Sequence, residues 1–168
     1  MKKIIALILI AASFILCLAG CKESPSSMPE EMPEDFSFYV RWGYAGSYYD
    51  SASGELRKKS GEKFVTEYTM TEDELIEVYE IICELGIENY DDVLSPGNIQ
   101  AADPCMTVIL TVHAGGFDKT VKAEDVAGLN DGITKRGKAY LQAVVSIVNI
   151  LQATEAWQAL PPDTDLYY

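Results

Sequence analysis

The chain has 168 residues and a formal net charge of −13, from 13 basic and 26 acidic residues, with one histidine and four cysteines. That balance repels nucleic acid and anionic lipid headgroups, so neither is an expected ligand. With a single histidine and no CxxC or HExxH motif, a zinc site is not expected.

Residues 1–20 have the layout of a secretory signal peptide. Lys2 and Lys3 form a positive start, and Ile4 to Ala19 form an apolar run broken only by Ser13. The run is short for a membrane-spanning helix, which needs about 20 residues. It ends Leu18-Ala19-Gly20-Cys21, the pattern of a bacterial lipobox, with small residues that admit the chain to a peptidase. Cleavage between Gly20 and Cys21 leaves Cys21 as a mature N-terminus whose thiol carries a diacylglyceryl group. Two acyl chains anchor stably where one does not, at about 0.8 kcal/mol per buried methylene. The expected location is therefore the extracytoplasmic face of the cell membrane. An uncleaved anchor helix with an incidental cysteine fits the length and flanks less well. Processing leaves 11 of the 13 basic residues against 26 acidic ones, a formal −15, so the lipid holds the protein without electrostatic help.

Residues 21–35 read as a disordered spacer behind the lipidated Cys21. Lys22 to Asp35, KESPSSMPEEMPED, has three prolines and four glutamates and too little apolar surface to fold. Residues 36–160 read as one domain, and 161–168 as a tail. Phe36, Phe38, Val40 and Trp42 alternate with Ser37, Tyr39 and Arg41, which predicts a half-buried strand. Tyr48-Tyr49-Asp50 and Glu55-Leu56-Arg57-Lys58 flank SASG and predict a hairpin. A further strand is expected over about Lys63 to Met70.

TEDE then predicts a helix start, with Thr71 as N-cap and Glu74 closing a capping box. Leu75, Val78, Ile82 and Leu85 share one face, and Gly86 suits a left-handed C-terminal cap. Residues 88–104 read as loop. Met106, Val108, Leu110 and Val112 alternate with polar neighbours, Gly115-Gly116 makes the turn, and a return strand runs from Phe117 to about Ala123. In that register Leu110 faces Val121, Val108 faces Ala123, and His113 faces Asp118 on the other side. A long helix follows over about Lys135 to Ala153, and Thr154 caps a further turn holding Trp157 before Pro161-Pro162. The predicted fold is α+β: an antiparallel sheet of about five strands with two helices on one face, in the order strands, helix, hairpin, helix.

The chemistry-bearing residues are few. His113 with Asp118 has the composition of a polarised general base. Cys105 lies about 26 Å along the strand from His113, at about 3.3 Å per residue, so these two make no dyad; Cys83 stays open as a partner. An ordinary cross-strand pair explains His113 and Asp118 better. GITKRGKA nearly spells a phosphate loop, but Ala139 stands where a hydroxyl should hold magnesium, so it reads as a helix start. Asp91-Asp92 and Asp163 with Asp165 lack calcium-loop spacing and read as solvated loops. No catalytic, metal or cofactor residue is assigned. Cys17 leaves with the signal peptide, so Cys83 and Cys105 remain; export permits a disulfide between them, and spacing does not decide it. Tyr39, Tyr44, Tyr48 and Tyr49, beside Trp42, have the chemistry of a binding face and also ordinary strand propensity. Arg57, Lys58, Lys59 and Lys63 form a basic hairpin on an acidic chain, suited to an anionic partner or simply to an exposed tip.

Taken in order, the lipobox, the Pro/Glu spacer, FSFYVRWG, SYYDSASGELRKK, YTMTEDELIEVYEIICELGIENYDD, TVILTVHAGGFDKTV and a last helix ending LPP resemble a family of small lipoproteins of Gram-positive anaerobic bacteria to which no activity is assigned. The resemblance implies an envelope location and an α+β fold, and brings no catalytic residue. The expected function is that of a membrane-anchored, non-enzymatic module that binds an envelope polymer, peptide or protein. One alternative is an envelope hydrolase using His113, Asp118 or Cys83 on wall or peptide substrates; another is a structural or inhibitory lipoprotein.

Overall fold

The computed structural model describes residues 27–95, 105–129 and 134–162. The segment expected to be a signal peptide, with Gly20, Cys21, Asp163, Asp165 and the start of GITKRGKA, lies outside these residues.

Seven strands form one sheet in the order β4-β3-β2-β1-β6-β7-β5. They are β1 Ser37–Trp42, β2 Ser47–Asp50, β3 Glu55–Arg57, β4 Val65–Glu67, β5 Val93–Leu94, β6 Met106–Ala114 and β7 Phe117–Val126. Among the described residues three α-helices accompany them: α1 Glu72–Leu85, α2 Lys135–Ala153 and the short α3 Glu155–Ala159. The class is α+β, as expected, but the sheet has seven strands and is mixed. Each pairing is antiparallel except β5 with β7, where Val93 lies beside Lys122 and Leu94 beside Ala123 in parallel. Two residues are too few to show a period of two, which is why the segment reads as loop. Asp92 holds them in place: its carbonyl accepts from Lys122 N–H at 2.8 Å and its carboxylate takes Lys119 Nζ at 2.7 Å. The strand expected over Lys63 to Met70 shrinks to β4, because a 3-10 turn at Glu62–Phe64 takes its first residues.

The local signals for α1 are met. Thr71 Oγ1 accepts from Glu74 N–H, Glu74 accepts from Thr71 N–H at 2.8 Å, and Gly86 sits at φ 63°, ψ 53°. In the β6–β7 hairpin, Leu110 faces Val121, Val108 faces Ala123 and His113 faces Asp118. The register shifts between Met106 and Val108, a bulge that carries β7 on to Val126 with Asp125 at φ 55°.

One core lies between the sheet and the helices. Val40, Leu56, Val108, Leu110, Val121, Val78, Ile82, Val144, Ile147 and Leu151 are wholly buried in it. Each such side chain contributes about 1.5–3 kcal/mol by leaving water. Tyr140, also buried, donates its hydroxyl to the Val121 carbonyl at 2.8 Å and so ties α2 to β7. The opposite sheet face carries Tyr39, Arg41, Tyr48, Arg57, Ile109 and Thr111 and is covered by neither main helix.

The spacer expectation needs correcting at its C-terminal end. Met28 and Phe36 pack on the core. The Tyr79 hydroxyl of α1 reaches the carbonyls of Pro29 and Glu31 at 2.6 and 3.2 Å. Asp35 Oδ1 accepts from Gly115 N–H at 2.8 Å, and Phe36 meets the Tyr79 ring edge-on at 4.9 Å. Folded structure therefore starts by Met28, eight residues ahead of Phe36. Composition reports what a segment can bury by itself, and this segment is ordered by partners 48 to 80 residues away.

Candidate functional site

Trp42 ends β1 with its ring turned to the core side, and Gly43-Tyr44-Ala45-Gly46 connects it to β2, closed by Gly46 N–H on the Gly43 carbonyl at 3.2 Å. From the other end of the chain, Thr154 stops α2 and caps α3: its Oγ1 donates to the Leu151 carbonyl at 2.7 Å and accepts from Trp157 N–H at 3.2 Å. That cap sets Trp157 against Trp42, ring centres 5.6 Å apart and tilted by 34°. Offset aromatic pairs of this kind are favourable beyond the area they bury, by about 0.5–1.5 kcal/mol.

Lys58 follows β3 and is fixed by its backbone, which donates to the Phe64 carbonyl at 2.9 Å and accepts from Ser47 Oγ at 2.6 Å. Its ammonium therefore lies over the Trp157 ring, 5.1 Å from the centre. Tyr44, 46% exposed, donates its hydroxyl to the Ala127 carbonyl and so ties the β1–β2 turn to the end of β7. These residues, with Gln152 of α2, line a cleft of about 200 Å³.

The tyrosines expected to form one binding face divide among three places. Tyr49 is a core residue, 1% exposed; its hydroxyl donates to the Tyr68 carbonyl at 3.1 Å, and burial pushes its pKa up to about 12. It is withdrawn as a ligand contact, because the β2 register turns it inward opposite Leu56. Tyr39 and Tyr48 share the uncovered face, with ring centres 5.5 Å apart. Tyr44 alone reaches the cleft.

The expected basic hairpin is likewise divided. Arg57 is taken by Glu55 at 2.9 Å and by the Tyr48 hydroxyl at 3.1 Å. The hydrogen bond from Tyr48, then that from Arg57, holds the Glu55 carboxyl below its usual range. Lys59 and Lys63 bracket the Phe64 ring at 4.5 and 4.9 Å. Only Lys58 faces the cleft.

His113 sits at the opposite end of the sheet. It pairs with Ser37 at the start of β1, whereas Trp42 ends that strand, about 17 Å away at about 3.3 Å per residue. Its Nδ1 is 2.7 Å from Asp118 Oδ1 and its Nε2 is 3.4 Å from Asp35 Oδ2. The Asp118 hydrogen bond, then the charge of both carboxylates, raises the imidazole pKa. Both ring nitrogens are thus taken up by a surface clamp on the N-terminal segment.

Cys83 and Cys105 are both free thiols, so the bridge between them is not formed in this structure. Cys83 is half-buried in the last turn of α1, where burial pushes its thiol pKa up; Cys105 is exposed and donates to Asp125 at 3.6 Å. Among the described residues no hydrogen bond joins Cys83 to His113, and no three His, Cys, Asp or Glu side chains gather as a metal site.

Two further depressions lie among the described residues. One of about 280 Å³ lies between α1 and α2, lined by Ile81, Glu84, Leu85, Ala139 and Gln142. A broader groove of about 450 Å³ runs along β3 and β4 past Glu55, Arg57, Glu62 and Val65. Neither has an aromatic wall, and the cation of the second is neutralised by Glu55. The aromatic cleft was hidden in the sequence because its residues come from 42–58 and 152–157; the one signal was that Trp42 ends a strand pattern and Trp157 lies in the short turn just before Pro161-Pro162. No protein-family model matches the chain, and no curated protein matches it.

Proposed function

We propose that the chain is a non-enzymatic binding module, tethered through Cys21 to the extracytoplasmic face of the cell membrane, that offers the Trp42–Trp157 cleft to an envelope polymer, peptide or protein. The observation that carries this reading is the placement of the cleft at one end of β1 and of the N-terminal segment at the other. With Met28 docked, the tether from Cys21 spans seven residues, at most about 25 Å extended. The strapped end then stays near the bilayer and the aromatic end points outward. The resemblance to small envelope lipoproteins agrees with this placement. Against the hydrolase alternative stands the engagement of both His113 nitrogens by carboxylates.

Photocrosslinking in intact cells tests the proposal. Tyr44→p-benzoylphenylalanine is expected to capture a specific adduct. The same probe at Ile76, an exposed position on α1, is expected to capture none. Equal labelling from both positions, or none from Tyr44, sinks the reading and favours a structural or inhibitory lipoprotein.

A further inference from the structure

We propose that the Trp42–Trp157 cleft takes the C-terminal residue of a peptide, its carboxylate against Lys58 and a small apolar side chain against the two indoles. This rests on the binding-module reading and names the ligand for it. The volume of about 200 Å³ limits the occupant. Sites for drug-sized ligands run to roughly 300–1,000 Å³, so this one holds a single small unit of a larger partner. Trp42 and Trp157 are only 4% and 8% exposed. Too little ring is open for a sugar to stack on, whereas a methyl-sized side chain needs no more than this. Lys58 supplies the charge. Among the described residues it is the one cation lining the cleft, and no described carboxylate pairs with it, although the chain carries 26 acidic residues. An ammonium held over an aromatic ring favours an incoming carboxylate through a charge-assisted hydrogen bond. Gln152 lines the same cleft, and its amide can both donate to and accept from the peptide unit next to that carboxylate.

The molecule carries its own reporter, since its two tryptophans are the pair in this cleft. The full chain, in nanodiscs of neutral lipid, is titrated with N-acetyl-alanine, with the neutral N-acetyl-alaninamide and with glucuronate while tryptophan emission is followed. N-acetyl-alanine is expected to give a saturable change. The amide, or the acid added to Lys58→Met, should bind about tenfold more weakly or worse, the loss of one charge-assisted contact. Lys58→Arg should keep the response, and far-UV circular dichroism checks that Lys58→Met is folded. An equal response to acid and amide overturns the role of Lys58. A saturable response to glucuronate without one to N-acetyl-alanine overturns the peptide assignment in favour of a sugar acid. No response to any probe, with Tyr44 crosslinking intact, overturns this inference and leaves the binding module standing; loss of both overturns both.

Discussion

The Tyr79 hydroxyl donates to the Pro29 carbonyl at 2.6 Å across 50 residues of chain, and this contact turns a proline-rich segment into part of the fold. Tyr79 is 4% exposed, and Phe36 stacks edge-on against it. Removing the hydroxyl leaves the ring packing and deletes its hydrogen bond to Pro29, with the longer contact to Glu31. Tyr79→Phe is therefore expected to lose about 0.5–1.5 kcal/mol in chemical denaturation. The loss should be local first: limited proteolysis is expected to cut between Met28 and Phe36 faster than in the parent, with the rest of the domain resistant. Unchanged cleavage there would show that the segment is held by Asp35 and the prolines alone.

His113 makes the same strap sensitive to pH. Its pKa is raised in the folded state, first by the Asp118 hydrogen bond and then by the charges of Asp118 and Asp35. A raised pKa means that the proton stabilises the folded form. The contribution is therefore complete below the ordinary imidazole value of about 6.5 and disappears as pH climbs through the elevated folded value. The groups are exposed, so it amounts to less than about 1 kcal/mol. Stability of the parent minus that of His113→Gln, measured from pH 5 to 9, should be positive at the acid end and fall towards zero at the alkaline end. A flat difference would refute the linkage. Asp118→Asn, which removes the first-named cause, should shift the fall to lower pH.

Much of the scaffold was legible from local rules. Thr71 and Glu74 are three residues apart, Gly86 follows the last apolar turn, and Gly115-Gly116 sets the pairing of Leu110 with Val121; each acts within a few residues. What was not legible depends on partners far along the chain. Pro29 and Asp35 look like spacer until Tyr79 and Gly115 are placed against them. Tyr48 and Tyr49 look alike until strand register sends one to each face. Lys58 looks like one of four loose cations until Glu55 takes Arg57 and the Phe64 ring takes Lys59 and Lys63.

Gly115 tests the strap from the other side. It sits at φ 59°, and a Cβ there would come within 3.2 Å of Pro29 Cγ. Gly115→Ala meets two costs: the left-handed backbone, about 1–2 kcal/mol for a residue with a side chain, and the crowding of Pro29. The variant should be less stable by at least that backbone cost and should also show the proteolytic signature of Tyr79→Phe. A second variant separates the two costs. Pro29→Ala in the Gly115→Ala background should relieve the crowding and leave the backbone strain, so a partial rescue is expected. No rescue at all would place the whole effect in the hairpin turn.

Thr154 is where stability and the proposed site meet. Its hydroxyl donates to the Leu151 carbonyl and accepts from Trp157 N–H, so one side chain ends α2 and starts the turn that carries Trp157 to Trp42. Thr154→Ala removes an N-cap, at a cost of about 1 kcal/mol. With five residues, α3 has little helix of its own to resist that loss. Trp157 should then spend more time in water. Because the chain has only two tryptophans and they pack together, emission should shift to longer wavelength in the folded protein, before any denaturant is added. Thr154→Ser keeps the hydroxyl and should restore the parent spectrum. The same pair of variants asks whether the cleft needs a fixed Trp157: weaker N-acetyl-alanine binding in Thr154→Ala, restored in Thr154→Ser, is the outcome expected if α3 positions the indole for the ligand. Parent-like binding in Thr154→Ala would mean that Trp157 is held by Trp42 and Lys58 without its cap.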